Sequence, residues 1–296
     1  MRERMMARPL RTVLVLEMVF VALVVLGALA MTKLFPGLPG YSVRGPSQSL
    51  ILVLVTAAVL LALVAALRWW TLAGFTPKSR WRELRLYWLP VILLLVPFVG
   101  GVHMPPPSAI GLLVVAYAAT ALFEEGMWRG VMLGLLRPTG VWRAVLISSL
   151  LFGLGHLGNT ALRGMSFLIL LQAFGAAIQG IGLAALRLRT NTIWPLIIIH
   201  GLHDLFLQMS TLPIPLLEAF IETALCIYGI VLLRHHTMAP GSTADSETGQ
   251  RSGGKPTHER TAARAGGAPL RSRIPRRRAY AARPLRPHSG PRVVGE

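Results

Sequence analysis

The sequence is poor in cysteine and in charge. Its one cysteine, Cys226, excludes an internal disulfide framework. Charged residues make up 14% of the 296 residues, well below their share in a soluble globular domain. Acidic residues are the scarcest charged group, with 12 Asp and Glu against 30 Lys and Arg and a net charge of +18. The chain is therefore not an ordinary soluble protein. Any acid inside an apolar run needs a specific explanation, because burying its charge in a membrane is costly.

The chain is instead rich in long apolar segments. Hydrophobic residues make up 53% of the chain, and its mean hydropathy is +0.58. Eight apolar segments alternate with loops that hold Pro, Gly, Arg and Lys. They span about residues 12–34, 48–68, 86–102, 108–136, 142–160, 166–187, 191–209 and 213–233. We expect an all-α protein, a polytopic transmembrane bundle of about eight helices embedded in a lipid bilayer.

Basic residues are distributed unevenly between the two ends of this predicted bundle. The first, third and fifth loops hold only Lys33, Arg44 and Arg163. The N-terminus and the even-numbered loops hold Arg2, Arg4, Arg8, Arg11, Arg68, Lys78, Arg80, Arg82, Arg85, Arg137, Arg143, Arg187 and Arg189. The positive-inside rule predicts an integral membrane protein with both termini in the cytoplasm. The arginine-dense loops suit a bacterial inner membrane.

The chain divides into three parts. Residues 1–85 hold the first two predicted helices and a basic loop, and residues 86–235 form a helical core. Residues 236–296 are rich in Gly, Pro, Ser, Thr, Ala and Arg and contribute about half of the net charge. A segment with so few large apolar residues cannot bury a core, so we predict a disordered tail. Its basic run at 276–278 is typical of a solvated tail, and no nucleic-acid partner is expected.

Three apolar segments of the core carry polar side chains at a similar depth. At the helical rise, Glu124 lies roughly 18 Å, His156 roughly 21 Å, His200 roughly 15 Å and Asp204 roughly 21 Å from the same end of the bundle. Chance placement does not favour such a common level, whereas a functional centre does.

The acidic pair of the fourth segment divides into two different groups. Glu125 and Arg129 are spaced i,i+4 and can form an ion pair, which burial makes nearly obligatory. Glu124 lies about 100° away around the helix and lacks this partner. It could act as a general base on water. The alternative is a structural salt bridge that pins helices together.

The histidines leave several interpretations open. His200 and Asp204 share a helix face at i,i+4, and His203 lies close enough to that face to be the active partner instead. Such groups can orient a histidine, bind a metal or hydrogen-bond helices together. Glu124, His156, His200 and Asp204 could bind Zn²⁺, although no HExxH motif occurs and no metal or other cofactor is favoured. Three further acids in apolar runs are interpreted as structural or interfacial: Glu17, Glu218 and Glu222.

Three short motifs on successive segments resemble those of the CPBP family of intramembrane proteases, which includes CAAX prenyl endopeptidases and bacteriocin-processing or immunity proteins. They are Glu-Glu-x-x-x-Arg at 124–129, Phe-x-x-x-His at 152–156 and His-x-x-x-Asp at 200–204. The resemblance covers roughly residues 85–210, so the core is expected to be a CPBP-like protease core.

The resemblance implies hydrolysis of peptide bonds within the membrane. Glu124 would activate water with help from His156, while Glu125 and Arg129 would hold the site together. Phe152 belongs to the second motif. His200 and residue 204 would stabilise the oxyanion, but an ionised aspartate cannot donate a hydrogen bond to it. Asp204, in place of the asparagine of prenyl-protease members, would be protonated, orient His200 or bind a metal.

The expected function is therefore an endopeptidase for membrane-associated peptides or proteins. Two alternatives remain at this point. One is a non-catalytic membrane scaffold or bacteriocin-immunity protein. The other is a proton-coupled transporter, which an internal repeat would favour, and no such repeat occurs.

Overall fold

A computed structural model describes residues 2–34, 50–76, 81–160 and 165–237 of the chain. The predicted disordered tail lies outside these residues from position 238 onward. Within the described ranges the secondary structure is helical, and the one β-type pairing is an isolated bridge between Val102 and Ser210. The α-helices are α1 Arg2–Ala7, α2 Pro9–Leu34, α3 Leu50–Ala66, α4 Trp70–Ala73, α5 Trp88–Leu93, α6 Pro107–Glu124, α7 Leu133–Leu136, α8 Val141–His156, α9 Phe167–Thr190, α10 Trp194–Met209 and α11 Ile214–Thr237. The predicted all-α helical bundle is confirmed.

The helix bounds follow the apolar segments closely, with one exception. The segment predicted at 86–102 is not one continuous helix. It consists of a 3₁₀ turn at Trp81–Tyr87, the short α5, and a second 3₁₀ turn at Val96–Phe98. Pro97 lies in the second turn, and Gly100 and Gly101 follow it. Proline removes a helical hydrogen bond and glycine has low helix propensity, so the segment breaks into short pieces.

Within the described ranges, four helical stretches are long and apolar enough to cross a membrane. They are Pro9–Met31, Pro107–Thr139, Phe167–Thr190 and Ile214–His235. Two shorter apolar helices lie at Leu50–Ala66 and Val141–His156. All of these stretches expose large apolar side chains, for example Val19, Val114, Phe174 and Ile227. Such surfaces are suited to lipid.

Small residues let the helices around the site pack closely. A Cβ atom placed on Gly153 of α8 would lie 2.5 Å from the carbonyl oxygen of Ala173 on α9. A Cβ on Gly180 of α9 would lie 2.9 Å from the Cβ of Ser149 on α8. Helix α9 also packs along α11, and α6 packs against both α3 and α10. Close backbone approach is the usual mode of helix association in a membrane, and it brings α6, α8 and α10 around one centre.

One end of the bundle carries tryptophans that are partly exposed. Trp70 follows α3, and Trp142 and Trp194 lie in the first turns of α8 and α10. The indole of Trp194 donates a hydrogen bond to the carbonyl oxygen of Phe75 at 3.1 Å, and the Phe75 ring lies 5.7 Å from that of Trp70. The arginine-rich loops meet at the same end. Tryptophan and arginine together are typical of a membrane–water interface.

Candidate active site

The Glu-Glu-x-x-x-Arg motif lies where helix α6 changes its winding. Helix α6 ends at Glu124, and residues Glu125–Met132 form a π-helix before α7 begins. Every residue of this π segment is buried. It holds two glycines, Gly126 and Gly130, which lower the preference for a regular α-helix. Wider π turns are rare and occur frequently at functional sites.

His200 of α10 lies between the two carboxylates of this motif. Its Nδ1 donates a hydrogen bond to Oε1 of Glu125 at 2.8 Å. On the other edge of the ring, Nε2 lies 3.5 Å from Oε2 of Glu124 and 3.7 Å from Oδ2 of Asp204. Both Nε2 distances exceed a direct hydrogen bond, so this edge of the imidazole keeps its capacity to bind another oxygen. Three carboxylates thus surround one histidine side chain that is 8% exposed.

The two adjacent glutamates differ sharply in their surroundings. The Glu125 side chain is 0% exposed, and its Oε1 lies 3.0 Å from Nη1 of Arg129 as well as close to His200. The side chains of Glu124 and Asp204 are 19% and 22% exposed. Glu125 is therefore fixed by two partners, whereas Glu124 and Asp204 are the carboxylates that a water or substrate can reach.

Arg129 links the first motif to the second. The ion pair with Glu125 has the predicted i,i+4 spacing. The guanidinium carbon also lies 3.8 Å from the centroid of the Phe152 ring on α8. This cation–π contact occurs in a buried environment, where such contacts are strongest. Phe152 therefore anchors α8 to the π segment.

His156 lies at the last position of α8, one turn beyond Phe152. Its Nδ1 is 2.9 Å from the carbonyl oxygen of Phe152. Because a carbonyl can only accept, Nδ1 carries the hydrogen, and the neutral ring has its lone pair on Nε2. Among the described residues His156 makes no hydrogen bond to Glu124 or His200. It approaches the site through ring contacts instead.

Among the described residues, His203 forms none of the carboxylate contacts that His200 makes. Both histidines line an apolar cavity between α5, α9, α10 and α11. The cavity is also lined by Leu93, Leu94, Leu183, Ile221 and Leu225. The structure brings Glu124, Glu125, Arg129, Phe152, His200 and Asp204 together, whereas His156 stands at the margin.

Two side chains that sequence reasoning did not place in the site contribute to its wall. The indole nitrogen of Trp128 donates a hydrogen bond to Oε2 of Glu17 at 3.0 Å, which makes Glu17 part of the site's surroundings. Glu218 of α11 lies close enough to Asp204 for the two carboxylates to interact electrostatically. Neither has a short-range spacing to the motifs that could have revealed it.

The metal alternative depends on Glu124, His156, His200 and Asp204. In the described part of the chain, no group of three or more histidine, cysteine, aspartate or glutamate side chains is arranged to hold a metal ion. The mechanism proposed below is written without a metal, and chelation tests whether zinc takes part.

Residues 86–206 match the family model described as type II CAAX prenyl endopeptidase Rce1-like. The match supports the resemblance to the Rce1-type CPBP proteases over this part of the chain. The match contains all three motifs and ends two residues after Asp204. No curated protein and no solved structure matches the chain.

The matched segment agrees with the arrangement of helices around the site. The Rce1-like segment contains α5 to α8, α9 and most of α10, which are the helices that surround His200. Together with the long apolar helices, it identifies an integral membrane protein of a membrane-protease family. Glu17 and Glu218 lie outside the Rce1-like segment, on helices α2 and α11.

Proposed function

We propose that this protein is an intramembrane endopeptidase that hydrolyses peptide bonds with a water molecule activated by Glu124. One observation carries the proposal. The Nε2 edge of His200 is flanked by Glu124 at 3.5 Å and Asp204 at 3.7 Å, and it can still bind a further oxygen. Attack of water on an amide requires a base for the water proton and a hydrogen-bond donor for the carbonyl oxygen. Glu124 and His200 place these two groups beside one open position.

Glu124, rather than Glu125, is the general base. Oε1 of Glu125 is occupied by both Arg129 and His200, and its side chain is inaccessible. Glu124 is partly exposed and has His200 alone as an ion-pair partner within 4 Å among the described residues. A water molecule can reach Glu124, so the adjacent carboxylates have separate roles. Glu125 positions His200, and Glu124 performs the chemistry.

His200 is the oxyanion donor. Its Nδ1–H is held by Glu125, which fixes the ring orientation. With a hydrogen on Nε2 as well, His200 is a cation, and together with Arg129 it balances two of the three nearby carboxylates. Charge that develops on the carbonyl oxygen is then stabilised by a fixed donor in a site of low dielectric constant. Asp204 holds this imidazolium from one turn further along α10.

The proposed reaction balances without a cofactor. Glu124 takes a proton from water as the water oxygen bonds to the carbonyl carbon of the substrate. The carbon–nitrogen bond then breaks, and the leaving amine nitrogen takes the proton from Glu124. The products are a new carboxylate and a new amine. His156, with its lone pair on Nε2, accepts a hydrogen bond from the attacking water and so orients it.

The substrate class follows from the site's surroundings and from the family. The site lies among helices that are apolar enough to cross a membrane, which supports a membrane-associated peptide or protein as substrate. The family description names CAAX prenyl endopeptidases, so a prenylated peptide is one substrate to compare with an unmodified one. The basic loops favour an inner-membrane location with both termini in the cytoplasm.

The test is cleavage of fluorogenic peptides by the full-length protein in lipid nanodiscs. Wild type is compared with Glu124→Gln, each with and without a strong zinc chelator, on prenylated and unmodified peptides. Glu83→Gln is the matched control. The Glu83 side chain is 24% exposed, similar to Glu124, but it pairs with Arg189 at 2.9 Å away from His200.

We expect Glu124→Gln to lower kcat by at least about 10²-fold, because the amide cannot take a proton from water. Glu83→Gln is expected to keep wild-type turnover, and the chelator is expected to have no effect. Chelator-sensitive cleavage would instead make Glu124, His156, His200 and Asp204 metal ligands. Equal turnover by Glu124→Gln and wild type would exclude a glutamate base. Absence of cleavage by the folded wild type on both peptide classes would favour the scaffold or the transporter.

A further inference from the structure

Helix α2 contributes a buried carboxylate to the wall of the site. Glu17 lies near the middle of α2, about 70 residues before the Rce1-like segment begins. Its residue exposure is 6%, and its Oε2 accepts the hydrogen bond from the Trp128 indole at 3.0 Å. The second oxygen, Oε1, is buried and has no hydrogen-bond partner among the described residues. A carboxylate in an apolar helix is costly, so one that contacts the π segment calls for a specific role.

Trp128 connects Glu17 to both functional motifs. It lies in the π segment directly before Arg129 and is 5% exposed. Its ring packs edge-on against the Phe152 ring with centroids 5.2 Å apart. The Phe152 ring in turn packs edge-on against the His156 imidazole with centroids 4.8 Å apart. A continuous series of ring contacts therefore runs from the Glu17 hydrogen bond to His156.

Gly155 keeps this arrangement tight. A Cβ atom on Gly155 would lie 2.9 Å from Cζ2 of Trp128 and 3.2 Å from Oε1 of Glu17. Contacts at 2.9 Å force a neighbour to move. The backbone immediately before His156 therefore packs directly against both Trp128 and Glu17. The position of the α8 end depends on where these two side chains sit.

We propose that Glu17 is a positioning residue for the peptidase reaction. By holding the Trp128 indole, it fixes the ring series that sets the orientation of the His156 imidazole. This inference rests on the proposed function and deepens it, because it assigns to α2 a part in a site otherwise built from the Rce1-like segment. A misplaced orienting group costs rate without changing substrate affinity, since it acts on the reacting geometry alone.

Four variants of the full-length protein in nanodiscs test this role. Glu17→Gln keeps a carbonyl oxygen that can accept from the indole, and Glu17→Leu removes the acceptor. Trp128→Phe removes the indole N–H while keeping an aromatic ring. The double variant combines Glu17→Leu with Trp128→Phe. For each, kcat and KM are measured together with thermal unfolding, and turnover is expressed per folded molecule.

We expect Glu17→Leu to lower kcat at least about tenfold with KM changed by less than about twofold, whereas Glu17→Gln stays close to wild type. In the Trp128→Phe background the Glu17→Leu substitution has no further effect on kcat, because the two residues act through one contact. Unchanged kcat in Glu17→Leu despite lower thermal stability overturns the proposal and leaves a structural hydrogen bond. An equal loss in both backgrounds also overturns it.

A second readout separates this inference from the proposed function. Labelling with 5-fluorotryptophan gives one ¹⁹F signal for each of the seven tryptophans, and Trp128→Phe identifies the Trp128 signal by its loss. Glu17→Leu is expected to shift that signal strongly and Glu17→Gln weakly, with or without turnover. An unshifted Trp128 signal overturns the contact itself. If Glu17→Leu shifts the signal but the wild-type protein cleaves nothing, the proposed function is overturned, and the positioning role with it, while the contact stands.

Discussion

Replacing Arg129 with methionine is the strongest test of how the site is held together. Methionine keeps much of the length of the side chain and removes its charge. The substitution breaks the ion pair with Glu125 at 3.0 Å and the guanidinium contact to the Phe152 ring at 3.8 Å. Arg129 is 1% exposed, and Glu125 is buried completely. What remains is a buried carboxylate with His200 as its nearest cation.

The expected cost follows from burial. Removing one partner of a buried ion pair costs about 3–5 kcal/mol, because the remaining charge is uncompensated. Loss of a desolvated cation–π contact adds up to about 2 kcal/mol. The hydrogen bond from His200 to Glu125 at 2.8 Å persists and offsets part of this. Neither terminal nitrogen of Arg129 makes an aligned hydrogen bond among the described residues, so the pair is held by charge alone. We expect a net loss of about 3 kcal/mol.

Equilibrium unfolding of the full chain in mixed micelles, followed by circular dichroism, measures this loss. The control pair is Glu83 and Arg189, which has a similar distance of 2.9 Å but side chains that are 24% and 20% exposed. Glu83→Gln should cost less than about 1 kcal/mol, as partly solvated pairs do. Adding Glu125→Gln to Arg129→Met should recover stability, because no unpaired charge is then left buried. A loss below about 1 kcal/mol for Arg129→Met would refute the buried-pair account.

Three further predictions test individual parts of the site. Gly155→Ala should lower kcat about tenfold, because its Cβ would displace Trp128, while Gly111→Ala, with open space around its Cβ, should leave turnover unchanged and stabilise α6 slightly. Steady-state kinetics of the two alanine variants decide this. Asp204→Asn keeps the side-chain shape and gains an N–H donor, so peptide cleavage should persist within about tenfold, and complete loss would make the charge of Asp204 essential. His200→Leu should lower kcat by at least about 10²-fold. His203→Leu should preserve turnover, because leucine fits the apolar cavity at this position. The reverse result would make His203 the active histidine.

The helical architecture could be predicted from the sequence, because the length of an apolar segment is a direct physical signal of a membrane-spanning helix. A segment that crosses a bilayer must be long, apolar and helical, so the bounds of α2, α9 and α11 lie within a few residues of the predictions. The broken segment around Pro97 has the apolar composition of a segment that forms a continuous helix. The segment breaks because of its proline and glycine residues, and an average of hydropathy does not take their helix-breaking effect into account.

Within the site, local spacing was informative and distant contacts were not. The ion pair of Glu125 and Arg129 follows from their i,i+4 spacing. The placement of Glu124 and Glu125 on either side of His200 depends on how α6 and α10 pack, which no spacing within one helix reveals. Glu17 is the extreme example. It is 111 residues from Trp128 in the sequence, and its neighbours in α2 are apolar.

The paired glutamates show why two identical residues at adjacent positions need not share a task. Both approach the same imidazole, but Glu125 does so from within a fully buried π turn, and Glu124 does so from the last residue of an α-helix that is still partly accessible. Burial commits Glu125 to Arg129, since an isolated charge there would be prohibitively costly. That commitment fixes Nδ1 of His200 as a donor and turns Nε2 toward Glu124 and Asp204. The ion pair of Glu125 and Arg129 is therefore coupled to the general base Glu124 through the His200 ring. On this account Glu125→Leu, which removes the acceptor, should impair catalysis by releasing His200, even though Glu125 never touches the substrate.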